Sequence, residues 1–454
     1  MAKKYSLKFW IIFWTVSAVL LASWYVFLEV RKGGLGSLTG VIDYLPMSAE
    51  KKGEAKFFAD LESYVMQKDD VEKTFLILFQ NDMELRPGGG YIGSFGILKM
   101  KNGEVEELHT HDLSNFDARI PDGIEPPYPM KDTLRIASWK MRDSNWSPDF
   151  PTNALKADEF YHLGQGGENF DGIVAINSDV LRSFLKVTGP VEVPGFPGIY
   201  NSENAALNLE YQVERAFLKQ GISLGERKSI MNELAKVIIE KAKALSAGDK
   251  LKLAGEIINN LNDKNVQLYF KNEILQGRVT DAKWGGQVDQ NWNDDYLMMI
   301  DANLGSLKSD YYIKRSFDYT VDFSKDTPVA KLKITYNHSA KTKDWMTKNY
   351  LTYLRVYVPK GSWLTGSNNL GDIRFGEDLN KKYFGSLFDV KVGEAKTVEF
   401  DYDLPVSITP EAYKLLIQRQ SGVHDLAGKI TVIGKNGEKE EHAFDSAGDY
   451  VFSK

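Results

Sequence analysis

The chain has no cysteine among its 454 residues. That excludes disulfides, thiolate metal sites, a cysteine nucleophile and a lipid anchor on cysteine, and it fits an exported bacterial protein that needs no oxidative folding. A surplus of positive charge is also missing. With 56 Lys and Arg against 62 Asp and Glu, the formal net charge is -6, which argues against nucleic acid as the main partner. There is no internal repeat and no low-complexity tract. The glycine-rich run near residue 88 lacks the Gly-Lys-Ser/Thr ending of a P-loop and leads into a strand rather than a helix. No Gly-x-Ser-x-Gly elbow occurs, and carboxylates are too numerous to single out a glycosidase pair.

What is present describes a folded chain, with 43% apolar and 26% charged residues. At about 150 residues per domain its length suits two or three domains. Phe9 to Leu28 carries no charge over twenty residues, enough for a helix to cross a hydrocarbon core of about 30 Å. Trp10, Trp14, Trp24 and Tyr25 lie towards its ends, and Lys3, Lys4 and Lys8 precede it. A cleaved signal peptide is the other reading, but Leu-Leu-Ala-Ser around position 22 makes a poor small-x-small site. Residues 1–32 are therefore expected to be a cytoplasmic N-terminus and an uncleaved single-pass anchor, with everything from Gly33 onward outside the cell membrane.

Gly33, Gly34, Gly36 and Gly40 then read as a tether, and residues 48–67 as an amphipathic helix, together spanning 33–71. From 72 to 270 strand and helix patterns alternate, which predicts a mixed sheet with helices on its faces. Asn102-Gly103 marks a hairpin, Ser178 is placed to cap a helix from Asp179, and Gly189-Pro190 to stop it. Residues 271–311 give weaker signals and read as a connecting segment. From 312 to 454 period-two alternation, as in Ala330, Leu332, Ile334 and Tyr336, predicts a β-sandwich of immunoglobulin-like or jelly-roll kind.

The densest chemical signal is Phe75 to Met100. An apolar strand turns polar through Gln80, Asn81, Asp82 and Glu84, exposes Arg86, breaks at Pro87-Gly88-Gly89-Gly90 and re-enters a strand. Three glycines beside a guanidinium allow backbone amides to approach an anion such as phosphate; they serve equally as a tight connection needing positive φ. A second cluster, Met141 to Pro151, holds Arg142, Asp143, Asn145, Trp146 and Asp149. Its oxygens suit a sugar or a divalent cation, while Asp149 before Phe150-Pro151 also reads as a helix N-cap and Asn145 as an Asx turn. Arg227 and Lys228 open a helix, where phosphate could be held or where a solvated face is the plain alternative, and Arg215 is a candidate of the same kind. His109 and His111, with Asp112, alternate on a strand, but no third histidine or cysteine lies nearby to complete a zinc site.

The blocks QNDMELRPGGGYIGSFGIL, NWSPDFPTNA, FDGIVAINSDVLRSFLKVTGPVEV and ERKSIMNELAKVI resemble the successive signatures of domain-of-unknown-function family 4012, over residues 72 to 245. YLRVYVP and LLIQRQSG resemble its usual C-terminal tail. That family name carries no activity. More distantly the order of parts is similar to the LytR-CpsA-Psr enzymes of the cell envelope. These move glycopolymers from polyprenyl-pyrophosphate carriers to the cell wall, using arginines, an aspartate and Mg²⁺. The resemblance sets Arg86 and Arg227 on two of their arginines. It lacks their Arg-x-Asp pairing, because Pro87-Gly88 follows Arg86. Two readings follow. In one, an extracytoplasmic protein binds or transfers lipid-linked glycopolymers, Arg86, Gly88, Gly89, Gly90 and Arg227 hold phosphate, and Asp143, Asn145 or Asp149 contact Mg²⁺ or sugar. In the other, a non-catalytic envelope module binds a glycan or a partner.

Overall fold

The computed structural model describes residues 42–43, 46–305, 307–424, 426–446 and 448–454. The apolar run 9–28 lies outside them, and among the described residues no helix is long and apolar enough to cross a membrane.

Helix α1 (Ala49–Met66) starts where Ser48 caps it, the hydroxyl accepting from the Lys51 amide at 3.3 Å. Its apolar side, including Phe57, Phe58 and Leu61, packs beside Phe270, Leu275 and Trp284, as its spacing predicts. The chain then builds β1 (Lys73–Asn81), β2 (Tyr91–Lys101), β3 (Glu104–Asp112) and β4 (Gly172–Asn177). A two-stranded ribbon follows, β5 (Val191–Val193) with β6 (Phe196–Tyr200), and then β7 (Val266–Phe270). The five-stranded sheet runs β3-β2-β1-β4-β7, with β1 and β4 parallel and the other pairs antiparallel. The unbroken apolar run of β1 fits its central place, buried on both faces. Asn102 and Gly103, both at positive φ, turn β2 tightly into β3.

Helix α2 (Phe150–Leu163) covers one face of the sheet, setting Ala154, Ala157 and Phe160 among Leu76, Leu78 and Phe95. Helices α3 (Asp179–Thr188), α4 (Ala205–Tyr211) and α5 (Ile230–Ala244) lie over the other face, followed by α6 (Ala247–Asn262) and α7 (Glu273–Asp281). Gly189, at φ 76°, ends α3 as expected. Ser178 does not cap that helix. Its hydroxyl donates to Asp82 Oδ1 at 2.5 Å, because β1 and β4 end side by side.

The remainder is a sandwich of two six-stranded sheets. One is centred on β9 (Ile313–Asp322) and β10 (Val329–His338), the other on β8 (Asp295–Asn303) and β11 (Tyr350–Pro359). Phe317, Leu332, Leu354 and Phe400 meet in the core between them. Two features depart from expectation. Each sheet holds one parallel pair, β9 with Leu426–Ile433 and β8 with Lys414–Ile417, whereas immunoglobulin and jelly-roll sandwiches are antiparallel. Strand β8 also falls inside 271–311, the stretch read as a connection. All nine of its residues are buried, because one face meets the sandwich core and the other meets Val288, Trp146 and Met130 from the α/β part. A strand buried on both faces shows no alternation to detect.

Candidate functional site

Arg86 is 2% exposed, and protein groups surround it. Its Nε donates to Asp143 Oδ1 at 2.9 Å, Nη2 to Glu84 Oε1 at 3.2 Å, and Nη1 to the Asn303 carbonyl at 2.7 Å. Burial pushes the Glu84 carboxyl up, against the opposing pull of Arg86 and Lys308. The glycines are as enclosed as the arginine. A Cβ on Gly89, which sits at φ 136°, would fall on the Gln80 carboxamide, and one on Gly90 would fall on the Asn81 backbone. Gln420 donates to the carbonyls of Arg86 at 3.0 Å and Asp301 at 2.8 Å. The loop is thus an internal joint between the α/β part and the sandwich, and its glycines admit neighbouring protein. The expectation of an exposed anion cradle at Arg86 and Gly88 to Gly90 is corrected here: the signal was the need for close packing, met from within.

The second cluster is internal too. Asn145 donates to the Gly90 carbonyl at 2.6 Å, and Asp143 belongs to Arg86. Asp149 is the N-cap of α2, accepting from the Thr152 amide at 3.2 Å, while its other oxygen accepts from the Val288 amide at 3.1 Å. All three are buried, so they offer no surface for sugar or metal. Arg227 pairs with Glu214 at 3.1 Å and shares no partner with Arg86. Arg215 is exposed at the surface.

Open space lies elsewhere. An apolar cavity of about 330 Å³ separates the sheet from its covering helices, walled by Ile77 and Phe79 of β1, Leu181 and Phe184 of α3, and Leu234 and Ile238 of α5. Such a volume falls in the range of about 300–1,000 Å³ usual for small-ligand sites. At Ser94 and Lys228 it meets a polar cavity of about 360 Å³ that includes Thr110, Asp112, Arg119 and Asn232. On β2, Gly93 lines the cavity without a side chain, and a Cβ there would come within 3.4 Å of the Lys228 ammonium.

Lys228 stands at the junction. Its Nζ is 2.8 Å from Asp112 Oδ1 and also donates to the Gly93 carbonyl. Burial pulls the ammonium pKa down, and the Asp112 charge pulls it back part of the way. Asp112 is held below the usual carboxylate range; burial raises it, but Lys228 and the Ser114 amide outweigh that. Its Oδ2 is buried without a partner. Gln80, on the apolar cavity and 4% exposed, has both carboxamide atoms buried and unpaired. Polar atoms left unpaired inside a protein are costly and mark places where a ligand or water belongs. A Mg²⁺ ion keeps most of its waters and takes one or two carboxylates plus phosphate oxygens, and Asp112 Oδ2 fits that donor set; a bound ion would supply charge neutralisation. Among the described residues no group of three or more His, Asp and Glu forms a metal cage.

Sequence reasoning singled out Arg227 and Lys228 together; of the two, Lys228 meets the cavity. It noted Asp112 only for zinc, and it passed over Ser94. The available signal was Gly93 beside Ser94 within a strand.

Residues 70–213 match the model of a family described as "Protein of unknown function (DUF4012)". The DUF4012 match takes in β1 to α4, with the Arg86 loop, Ser94 and Asp112, and ends before Lys228 and the sandwich. No curated protein matches the chain in sequence. Solved structures similar to part of it include gbs0355 from Streptococcus agalactiae, at 13% identity and TM-score 0.31 over 48% of this chain and 75% of that one. Lin1025 from Listeria innocua aligns at 13% identity and TM-score 0.26, over 50% and 85%. TagV from B. subtilis aligns at 12% identity and TM-score 0.27, over 48% and 81%. Scores this low do not establish a shared fold.

Proposed function

We propose that the α/β part binds an amphiphilic, phosphate-bearing lipid, its apolar chain in the cavity under α3 and α5 and its phosphate at Lys228, Ser94 and Asp112. One observation carries this: an apolar cavity and a second, more polar one share Ser94 and Lys228 in their walls, and the Lys228 side chain there is 12% exposed. A lipid-linked glycopolymer carrier of the polyprenyl-pyrophosphate kind has this shape and charge, and the resemblance to envelope transferases points the same way. Binding comes before transfer in this proposal, because Arg86 and Arg227 do not converge on a common point. Residues 9–28 would anchor the chain in the cell membrane with its bulk outside the cytoplasm, close to such a lipid.

The test uses the full chain in nanodiscs, titrated with farnesyl pyrophosphate, farnesol and inorganic pyrophosphate. Farnesyl pyrophosphate is expected to bind at least about tenfold more tightly than either part alone, as when two linked groups both find their sites. Equal binding of farnesol would reduce the site to a greasy pocket and overturn the proposal. The topology can be checked separately, because the chain has no cysteine of its own. Gly36→Cys should react with a membrane-impermeant maleimide on intact cells, and lack of labelling would place Gly36 inside.

A further inference from the structure

Ser178 also lines the apolar cavity, and the lipid reading gives it no task. It stands where β4 ends at Asn177 and α3 begins at Asp179. Strands β1 and β4 are the parallel pair of the sheet, and the carboxyl ends of parallel strands are where such sheets place their ligands. The Ser178 hydroxyl donates to Asp82 Oδ1 at 2.5 Å, on a residue only 6% exposed. Asp82 Oδ2 is 2.6 Å from His424 Nε2, and His424 Nδ1 is 3.1 Å from Asp179.

A hydroxyl bonded to a base that a third group holds in place is the arrangement that activates a weak nucleophile. Asp82 lies within reach of the Ser178 proton, and His424 keeps its carboxylate turned that way as a positioning residue. The first amides of α3 have no acceptor within the helix, and a helix start favours a negative charge such as the oxygen of a tetrahedral intermediate. Ile176, Val180 and Leu181 line the cavity beside Ser178, so a chain lying there would bring its polar end to the hydroxyl. An apolar chain joined through an acyl ester is the substrate class that fits both.

We propose that Ser178 is the nucleophile of an acyl-ester hydrolase whose substrate lays its chain in the apolar cavity. Ser178 Oγ bonds to the ester carbonyl carbon while its proton passes to Asp82. Asp82 returns that proton to the departing alcohol oxygen as the ester C–O bond breaks, leaving the acyl group on Ser178. Water then adds to the acyl carbon and gives a proton to Asp82, which passes it to Ser178 Oγ as the carboxylic acid leaves. The proposal shares the cavity of the lipid reading and needs no phosphate at Lys228.

The experiment gives the full chain in nanodiscs p-nitrophenyl octanoate, p-nitrophenyl acetate and a fluorophosphonate probe whose adduct is mapped by mass spectrometry. The adduct is expected on Ser178. Octanoate cleavage is expected to fall about a hundredfold or more in Ser178→Ala and in Asp82→Asn, in keeping with the share a positioned base supplies. Acetate should be cleaved at least about tenfold more slowly than octanoate, because its chain leaves the cavity unfilled. His424→Ala should lower kcat with KM unchanged, and His424→Gln, which keeps a donor toward Asp82, should restore part of it. No adduct on wild-type Ser178, or cleavage that survives Ser178→Ala, overturns the proposal; the adduct is read on the unaltered chain, so a variant that fails to fold does not obscure it. Farnesyl pyrophosphate binding without an adduct would leave the lipid site standing alone, and an adduct without that binding would leave the hydrolase and remove the phosphate site.

Discussion

His424 Nε2 lies 2.6 Å from Asp82 Oδ2, joining the approach to the last strands of the sandwich to the end of β1. Its Nδ1 is 3.1 Å from Asp179 at the start of α3, so one imidazole clasps two elements that border the apolar cavity. Burial alone would lower its pKa, but the Asp82 hydrogen bond and the two carboxylate charges outweigh burial and nearby Arg419, and the pKa is raised above 6.5. Asp263, whose carboxyl burial pushes up, also faces Asp179 and His424. A raised folded pKa gives stability that is complete below about pH 6.5 and is lost as pH climbs through the folded value. The side chain is 41% exposed, so screening keeps the effect at about 0.2–1 kcal/mol. Thermal unfolding between pH 6 and 9 should show the midpoint of the wild type falling relative to His424→Gln. Parallel profiles would mean the clasp carries no charge.

Arg86 makes the sharpest contrast between the sequence expectation and the structure. A phosphate-binding arginine can be removed at little cost to folding, whereas this one closes a joint with Asp143, Glu84 and the Asn303 carbonyl. Arg86→Ala strands two buried carboxylates and should cost about 3–5 kcal/mol in chemical denaturation. Gly89→Ala, at φ 136° and against Gln80, should cost about 1–3 kcal/mol by backbone strain. If Arg86→Ala is as stable as the wild type, the joint is not what holds the two parts together.

These residues show how far the chain could be read. Helix α1, the β2–β3 hairpin and the alternation of β10 were legible because each is set by neighbours in sequence. The meaning of Arg86 was not, because two of its partners, Asp143 and the Asn303 carbonyl, lie 57 and 217 residues away and a protein carboxylate leaves the same local pattern as a bound phosphate. Strand β8 was hidden by burial on both faces. At the site, Arg227 and Lys228 are adjacent in sequence, yet only Lys228 reaches the cavity. Which of two neighbours at a helix start turns inward depends on how the helix docks.

Lys228 and the apolar cavity can be tested apart. Lys228→Met removes the ammonium but keeps the stem, and should weaken farnesyl pyrophosphate by about tenfold to a hundredfold, the range for one charge-assisted contact. Ala235→Trp fills the cavity from α5 with an apolar ring. It should abolish farnesyl pyrophosphate binding while leaving the thermal midpoint unchanged or higher, since extra apolar surface is buried in space already present. Tight binding in both variants would place the ligand elsewhere.

Asp295 gives a pH signature from the sandwich core. It is fully buried, accepting from the hydroxyls of Tyr413 at 2.6 Å and Tyr319 at 2.8 Å and from the Tyr296 amide at 2.8 Å. Burial is the dominant influence and pushes the carboxyl up to about 7, against the pull of those three donors. For a raised folded pKa the neutral form is the one the core accepts. Its contribution is complete below the unfolded value near 3.8 and is lost as pH rises through about 7. Asp295→Asn keeps the shape of the neutral acid without the charge. Between pH 4 and 7 the wild type should therefore lose stability relative to this variant, by at most about 1.4 kcal/mol per pH unit. Above pH 7 the difference should level off, with Asp295→Asn the more stable chain. Denaturation midpoints that stay parallel from pH 4 to 8 would show that Asp295 is ionised throughout, with the two tyrosine hydroxyls sufficient to hold the charge inside the sandwich.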